Sequence, residues 1–155
     1  MMAQKALLFG DHEIFECVVK TANPAEAKAL GRKVKNFIPA KWDEEKFRIV
    51  TEGNLHKFSQ HEAMKQYLLG TAPRVLAEAS PVDNIWGIGM NQDHPAVNDP
   101  GKWKGENLLG FALMESATCC CHFAEQKLIY RRKLYLWSVK THTCNTSWES
   151  RCTAR

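Results

Sequence analysis

Within four residues the chain sets a carboxylate, an amide and an indole, as Asp83, Asn84 and Trp86. They lie in the stretch Ser80–Met90, entered through Pro81 and left through Gly87 and Gly89. A carboxylate and an indole held together at a cleft supply a charge and a flat apolar face for a ligand. Pro81 removes a donor and pushes Ser80 toward an extended conformation, and the two glycines reach φ angles closed to other residues. The stretch is therefore expected as a short extended run and a tight loop, not a helix. A plainer alternative stays open, in which Trp86 anchors a core and Asp83 caps a turn.

The elements that must position this loop read as helices. Residues 1–9 carry Met2, Ala6 and Phe9 as a helical stripe closed by Gly10. Asp11 then stands as the N-cap of a helix whose stripe is Phe15, Val18, Val19 and Ala22, with Cys17 off it. Asn23-Pro24-Ala25-Glu26 combines an N-cap, a proline at the first helical position and an acid at the third, opening a helix to about Arg32. Pro39 closes the linker that follows. From about Lys41 a longer helix is expected, with Asp43, Glu44 and Glu45 in its first turn and Phe47, Ile49, Val50, Leu55 and Phe58 on its apolar face. Gly53 weakens it by roughly 1 kcal/mol relative to alanine. Ser59 to Glu62 reads as a capping box for the next helix, with Ala63, Met64, Tyr67 and Leu68 on its buried side and Gly70 closing it. A turn of helix is expected after Thr71-Ala72-Pro73, leading to the central loop. Residues 91–104, with Pro95, Pro100 and Gly101, read as a surface loop of the length that often carries function. Leu108, Leu109, Ala112 and Leu113 give a final stripe. The fold class is mainly α, a compact multi-helix domain with one or two short extended segments or strands around the loop.

A chain of 155 residues with 45% apolar content suits one domain with a real core. No apolar run approaches bilayer length and no basic, apolar leader opens the sequence, so an intracellular, cytoplasmic location is expected. Residues 1–115 hold 14 Lys and Arg against 15 Asp and Glu, whereas residues 116–155 hold 7 against 2. The net charge of +4 thus belongs to the tail and does not describe a nucleic-acid-binding body. Cys119, Cys120, Cys121, Cys144 and Cys152 also fall there, leaving Cys17 alone in the body. Adjacent cysteines such as these, with His122, lack the spacing of zinc ligands, and no disulfide framework or metal site is expected. A helix is expected over 123–137. The segment 116–155 reads as an unrelated basic, cysteine-rich tail, disordered or outside the true coding sequence.

Leu76, Glu78, Ser80, Asp83, Trp86, Gly87 and Gly89 stand in register with the pattern (V/L)-x-E-x-S-x-x-D-x-x-W-G-x-G, and here the chain resembles the NADAR, or YbiA-like, family. Further ordered blocks resemble it too: Met1–Ala6, Gly31-Arg32, Trp42-Asp43, Leu69–Pro73 and Gly105–Glu115. The resemblance covers residues 1–115. It implies an N-glycosidase that hydrolyses the bond between a ribose C1 and a base-like nitrogen. The substrates it implies are phosphoribosylaminopyrimidine intermediates of riboflavin synthesis or ADP-ribose attached to guanine. Nucleic acid enters only as an ADP-ribosylated substrate, and no cofactor is implied.

Such a reaction passes through an oxocarbenium-like state and needs a carboxylate near C1, an aromatic slot and a group for the phosphate. The resemblance places Asp83 as the carboxylate, Asn84 on a ribose hydroxyl, Trp86 and Trp42 as stacking rings and Lys5 on a phosphate or carboxylate. Asn107 is expected as a pocket amide near free backbone N–H groups that suit an anion. Arg32, Lys33 and Lys41 are weaker phosphate candidates, Trp42 serves equally well as packing, and Lys5 as a solvated surface lysine. Family members carry a glutamate three positions before the residue matching Met1, so this chain is expected to be an N-terminally truncated copy lacking an acid. Ile88 stands where some members carry aspartate. Glu78 or Glu106 is then the remaining second acid for an enzyme. The alternative is a non-catalytic module that binds ADP-ribose or a ribosyl phosphate.

Overall fold

The computed structural model describes residues 1–120, so the helix expected over 123–137 and the rest of the tail lie outside the described residues. Six α-helices and one 3-10 turn make up the regular structure, and no strand forms among the described residues. The mainly helical expectation is met. The expected strands are not seen, because residues 75–80 pair with a side chain and with single backbone groups of a loop rather than with another strand. The chain divides into two compact units, Met1–Gly53 and the residues from Asn54 onward.

In the first unit α1 (Met2–Leu8), α2 (His12–Lys20) and α3 (Pro24–Arg32) pack on one another pairwise. Gly10 leaves α1 with a φ of +72°, a conformation that suits glycine. Asp11 caps α2 by accepting from the Ile14 N–H at 3.1 Å, while its other oxygen accepts from Lys35 N–H at 2.9 Å. One carboxylate thus starts a helix and ties down the segment after α3. Asn23 caps α3 through the N–H groups of Ala25 and Glu26, with Pro24 in the first turn as expected. Ala6, Phe9 and Val34 form the buried cluster, and Leu8, Ile14, Phe15 and Trp42 pack against it. Burying a side chain the size of Phe9 contributes on the order of 2–3 kcal/mol. The face of α2 is therefore Ile14 and Phe15; Val19, expected on it, is 59% exposed, and Ala22 lies exposed beyond the helix.

The long helix α4 (Pro39–Gln60) starts two residues earlier than expected, because Pro39 has no N–H to satisfy and a φ already suited to the first turn. Asp43 and Glu45 consequently lie beyond the first turn. There Asp43 pairs with Lys46 at 2.8 Å, and Arg48 reaches Glu45 and Glu52 at 2.6 and 2.9 Å. Exposed pairs of this kind contribute about 0.3–0.5 kcal/mol each. Ile49 and Val50 are its buried residues, and it runs through Gly53 unbroken.

In the second unit α5 (Glu62–Leu69) follows after His61 alone. The expected capping box is absent, since Ser59 is still inside α4 and its hydroxyl donates to the His56 carbonyl at 3.1 Å. α5 packs on α6 (Leu108–Cys120). Only Leu68 of its expected face is buried; Ala63, Met64 and Tyr67 are exposed, Tyr67 by 80%. The last helix differs in the opposite sense. Rather than one stripe, Leu108, Phe111, Ala112, Met114, Ser116, Ala117 and Thr118 are all buried, which is the pattern of a central helix. It passes residue 115 and continues to Cys120.

Candidate active site

The loop around Asp83 is built by hydrogen bonds to its own backbone. Asp83 Oδ1 accepts from the N–H groups of Ile85 at 3.0 Å and Trp86 at 2.7 Å, so this oxygen caps a turn. Its second oxygen makes no hydrogen bond among the described residues. The Glu78 carbonyl accepts from Ser80 and Ile88 N–H, both at 2.9 Å, and closes the loop at its base. Asp83 and Trp86 are half-buried, while Asn84 and Ile85 are exposed. Trp86 is thus no fully buried core anchor. Its ring is partly open on the same loop as the carboxylate.

The residues that lead into α6 and its first two residues hold this loop. The N–H groups of Glu106, Asn107, Leu108 and Leu109 donate to the carbonyls of Asn84, Gly87, Ile85 and Trp86 at 2.9, 3.0, 3.1 and 3.1 Å. These are the donors expected to attract an anion. Protein carbonyls occupy them instead, and they fix the loop to the helix. Asn107 is fully buried, its amide donating to Leu76 O at 2.8 Å and its oxygen accepting from Glu78 N–H at 3.0 Å. The side chain expected to face a ligand bonds instead to the backbone of residues 76 and 78, just before the loop. Its φ of +54° is a conformation that asparagine tolerates.

Backbones approach closely here. A Cβ on Gly105 would lie 2.3 Å from Gly87 O and 2.9 Å from Gly89 N, and the Ile88 carbonyl takes both Lys104 and Gly105 N–H at 3.0 and 2.9 Å. The excursion 91–104 is stiffened within itself, because Trp103 Nε1 donates to Val97 O at 2.8 Å and Asp99 caps the 3-10 turn Pro100–Lys102. Glu78 and Glu106, the candidate second acids, have exposed side chains.

The first unit brings Lys5 and Trp42 together. Lys5 Nζ donates to Gly31 O at 2.8 Å, lies 4.1 Å from the centroid of the Phe37 ring and 5.8 Å from that of Trp42. Burial pushes its ammonium below the ordinary lysine pKa, so it is no solvated surface lysine. Trp42 packs on the Ala6 cluster, the packing role open to it, and is partly exposed. Phe37 was not singled out by the sequence, where it is one aromatic in a linker. Arg32, Lys33 and Lys41 are exposed, and Lys41 Nζ donates to Leu8 O at 3.3 Å. Among the described residues no cluster of His, Cys, Asp and Glu is arranged for a metal, and no helix is long and apolar enough to cross a membrane.

A helical domain whose Asp-Asn-Ile-Trp-Gly loop is bound to the start of a central helix matches the NADAR domain model over residues 1–117, and the chain belongs to that family. It is similar to an N-glycosidase of Acanthamoeba polyphaga mimivirus, 51% identical over 116 residues that cover 74% of this chain and 68% of that protein. Protein irg-1 of Caenorhabditis elegans is 39% identical over 115 residues, covering 72% and 54%. The N-glycosidase YbiA of Escherichia coli is 31% identical over 111 residues, covering 72% and 62%. Across these three the matched stretch spans 54% to 68% of the relative's own length.

Proposed function

We propose that this chain is an N-glycosidase that hydrolyses a ribose C1–N bond in a phosphoribosylaminopyrimidine intermediate of riboflavin synthesis or an ADP-ribosylated base. The observation that carries the reading is the Asp83 carboxylate, held through one oxygen by two N–H groups while the other remains without a protein partner among the described residues. A fixed carboxylate of this kind stabilises the positive charge that develops at C1 as the bond breaks. The bonding pair leaves with the nitrogen, and water supplies a hydroxyl to C1 and a proton to the departing base. On the loop itself Trp86, half-buried, is the ring for the base and Asn84, exposed, the amide for a ribose hydroxyl; within the first unit Lys5 is the cation for a phosphate and Trp42 a stacking ring. Asn107 acts on the reaction through the loop it holds. The names of two of the three relatives, both N-glycosidases, support this reading.

The competing reading is a module that binds the ribosyl phosphate without turnover, and it is favoured by the use of one Asp83 oxygen as a turn cap. Release of ribose 5-phosphate or free ADP-ribose from the two substrate types separates them. Asp83→Asn keeps an oxygen for the turn and removes the charge, so it is expected to leave the urea midpoint near that of the parent while lowering turnover by about 10²-fold or more. Full turnover in that variant removes Asp83 from the chemistry. Binding of ribose 5-phosphate without product from either substrate establishes the module instead.

A further inference from the structure

Phe37 follows Asn36, whose φ of +55° turns the segment between α3 and α4. Its ring is 40% exposed and meets the Phe9 ring edge-on, with centroids 5.2 Å apart and planes at 65°. Phe9 belongs to the buried cluster, so the exposed ring is seated on a fixed base. Over its face stands Lys5 Nζ, 4.1 Å from the centroid. A surface lysine ordinarily keeps its rotamer freedom and its ammonium in water. Here Gly31 of α3, Phe37 of the linker and Trp42 of α4 converge on it. An ammonium has three donors. Gly31 O takes one, and the rings attract the charge without supplying a lone-pair acceptor, so N–H groups remain for an oxyanion.

We propose that Phe37 is a positioning residue for Lys5: its ring face and the Gly31 carbonyl hold the ammonium where its remaining donors meet an anionic oxygen of the substrate. This rests on the reading of Lys5 as the phosphate-binding cation. Burial alone disfavours the charged form of Lys5, and the negative face of the ring opposes that loss. Removing the face therefore weakens proton binding at Lys5 by roughly two- to fivefold, the range for a partly exposed cation–π contact.

The test is an NMR titration of the full chain carrying lysine labelled with ¹³C at Cε, with the Lys5 signal assigned through Lys5→Arg. Phe37→Leu keeps an apolar side chain and removes the π face, so Lys5 is expected to titrate roughly half a pH unit lower. Phe37→Trp offers a stronger face and is expected to move it upward. A Lys5 titration unchanged in both variants overturns the proposal. If Phe37→Leu fails to fold, Phe37→Trp decides alone, an upward shift supporting the contact and no shift overturning it. Ribose 5-phosphate affinity by calorimetry is expected to fall two- to fivefold in Phe37→Leu. A shifted titration with unchanged affinity keeps the Phe37–Lys5 contact but removes Lys5 from phosphate binding. Weaker binding with an unchanged titration overturns the positioning role.

Discussion

Replacing Asn107 by alanine removes the side chain that joins residues 76–78 to the start of α6. The loss has three parts. Leu76 O gives up a donor at 2.8 Å and Glu78 N–H an acceptor at 3.0 Å, both partly buried, at about 1–1.5 kcal/mol for each bond. Alanine must also occupy the φ of +54° that asparagine tolerates, adding about 1 kcal/mol. The sum is roughly 3–4 kcal/mol, a large part of the stability of an ordinary domain. Urea unfolding of the two proteins, followed by circular dichroism, measures it directly. Asn107→Gly separates the parts, since glycine relieves the backbone strain and makes neither side-chain bond; it is expected about 1 kcal/mol above the alanine variant. A cost below about 1 kcal/mol for Asn107→Ala would show that the amide does not hold the loop, and the coupling of Asp83 to α6 through this side chain would fail with it.

Gly105→Ala drives a Cβ against Gly87 O and Gly89 N, backbone atoms that cannot rotate away, and is expected to cost about 3 kcal/mol in the same urea assay. Gly53→Ala meets nothing within 4 Å inside α4 and is expected to stabilise by about 0.5–1 kcal/mol. Asp11 has its carboxyl held below the ordinary range, first by the Lys35 N–H and then by the Ile14 N–H, with the charges of Lys35 and His12 adding to them. A depressed folded pKa gives stability that is present above the unfolded value of about 4 and lost as pH falls through the folded one. Thermal melts of the parent are thus expected to decline below about pH 4, and Asp11→Asn to flatten that decline; an unaltered profile would remove Asp11 as its source.

The parts legible beforehand were those decided within a few residues. Gly10 closes α1, Asp11 caps α2 through Ile14 N–H, and Asn23 and Pro24 open α3, each acting within a few positions as its type predicts, whereas the second bond of Asp11, to Lys35 N–H 24 residues on, was not legible there. Pro39 shows the limit of local reading, since a residue that closes a linker and one that opens a helix look alike until the first turn is seen. The periodicity of Ala63, Met64, Tyr67 and Leu68 states that they share a side of α5. Which part of that side is covered depends on the angle at which α6 packs, and only Leu68 is covered.

At the candidate site the same division holds. The residue types and spacing of Asp83, Asn84, Trp86, Gly87 and Gly89 were enough to mark the loop and to suggest its turn, and the resemblance to the family rested on the wider motif from Leu76 to Gly89 with the ordered blocks around it. Tertiary structure decided what each group is left free to do. Asn107 finds its partners 29 and 31 residues away, and Lys5 finds Gly31 at a separation of 26, distances over which the sequence carries no geometric signal. A buried amide must pair its donor and its acceptor, so Asn107 became a brace once the fold enclosed it. Lys5 became a caged cation because three separate segments met at its tip.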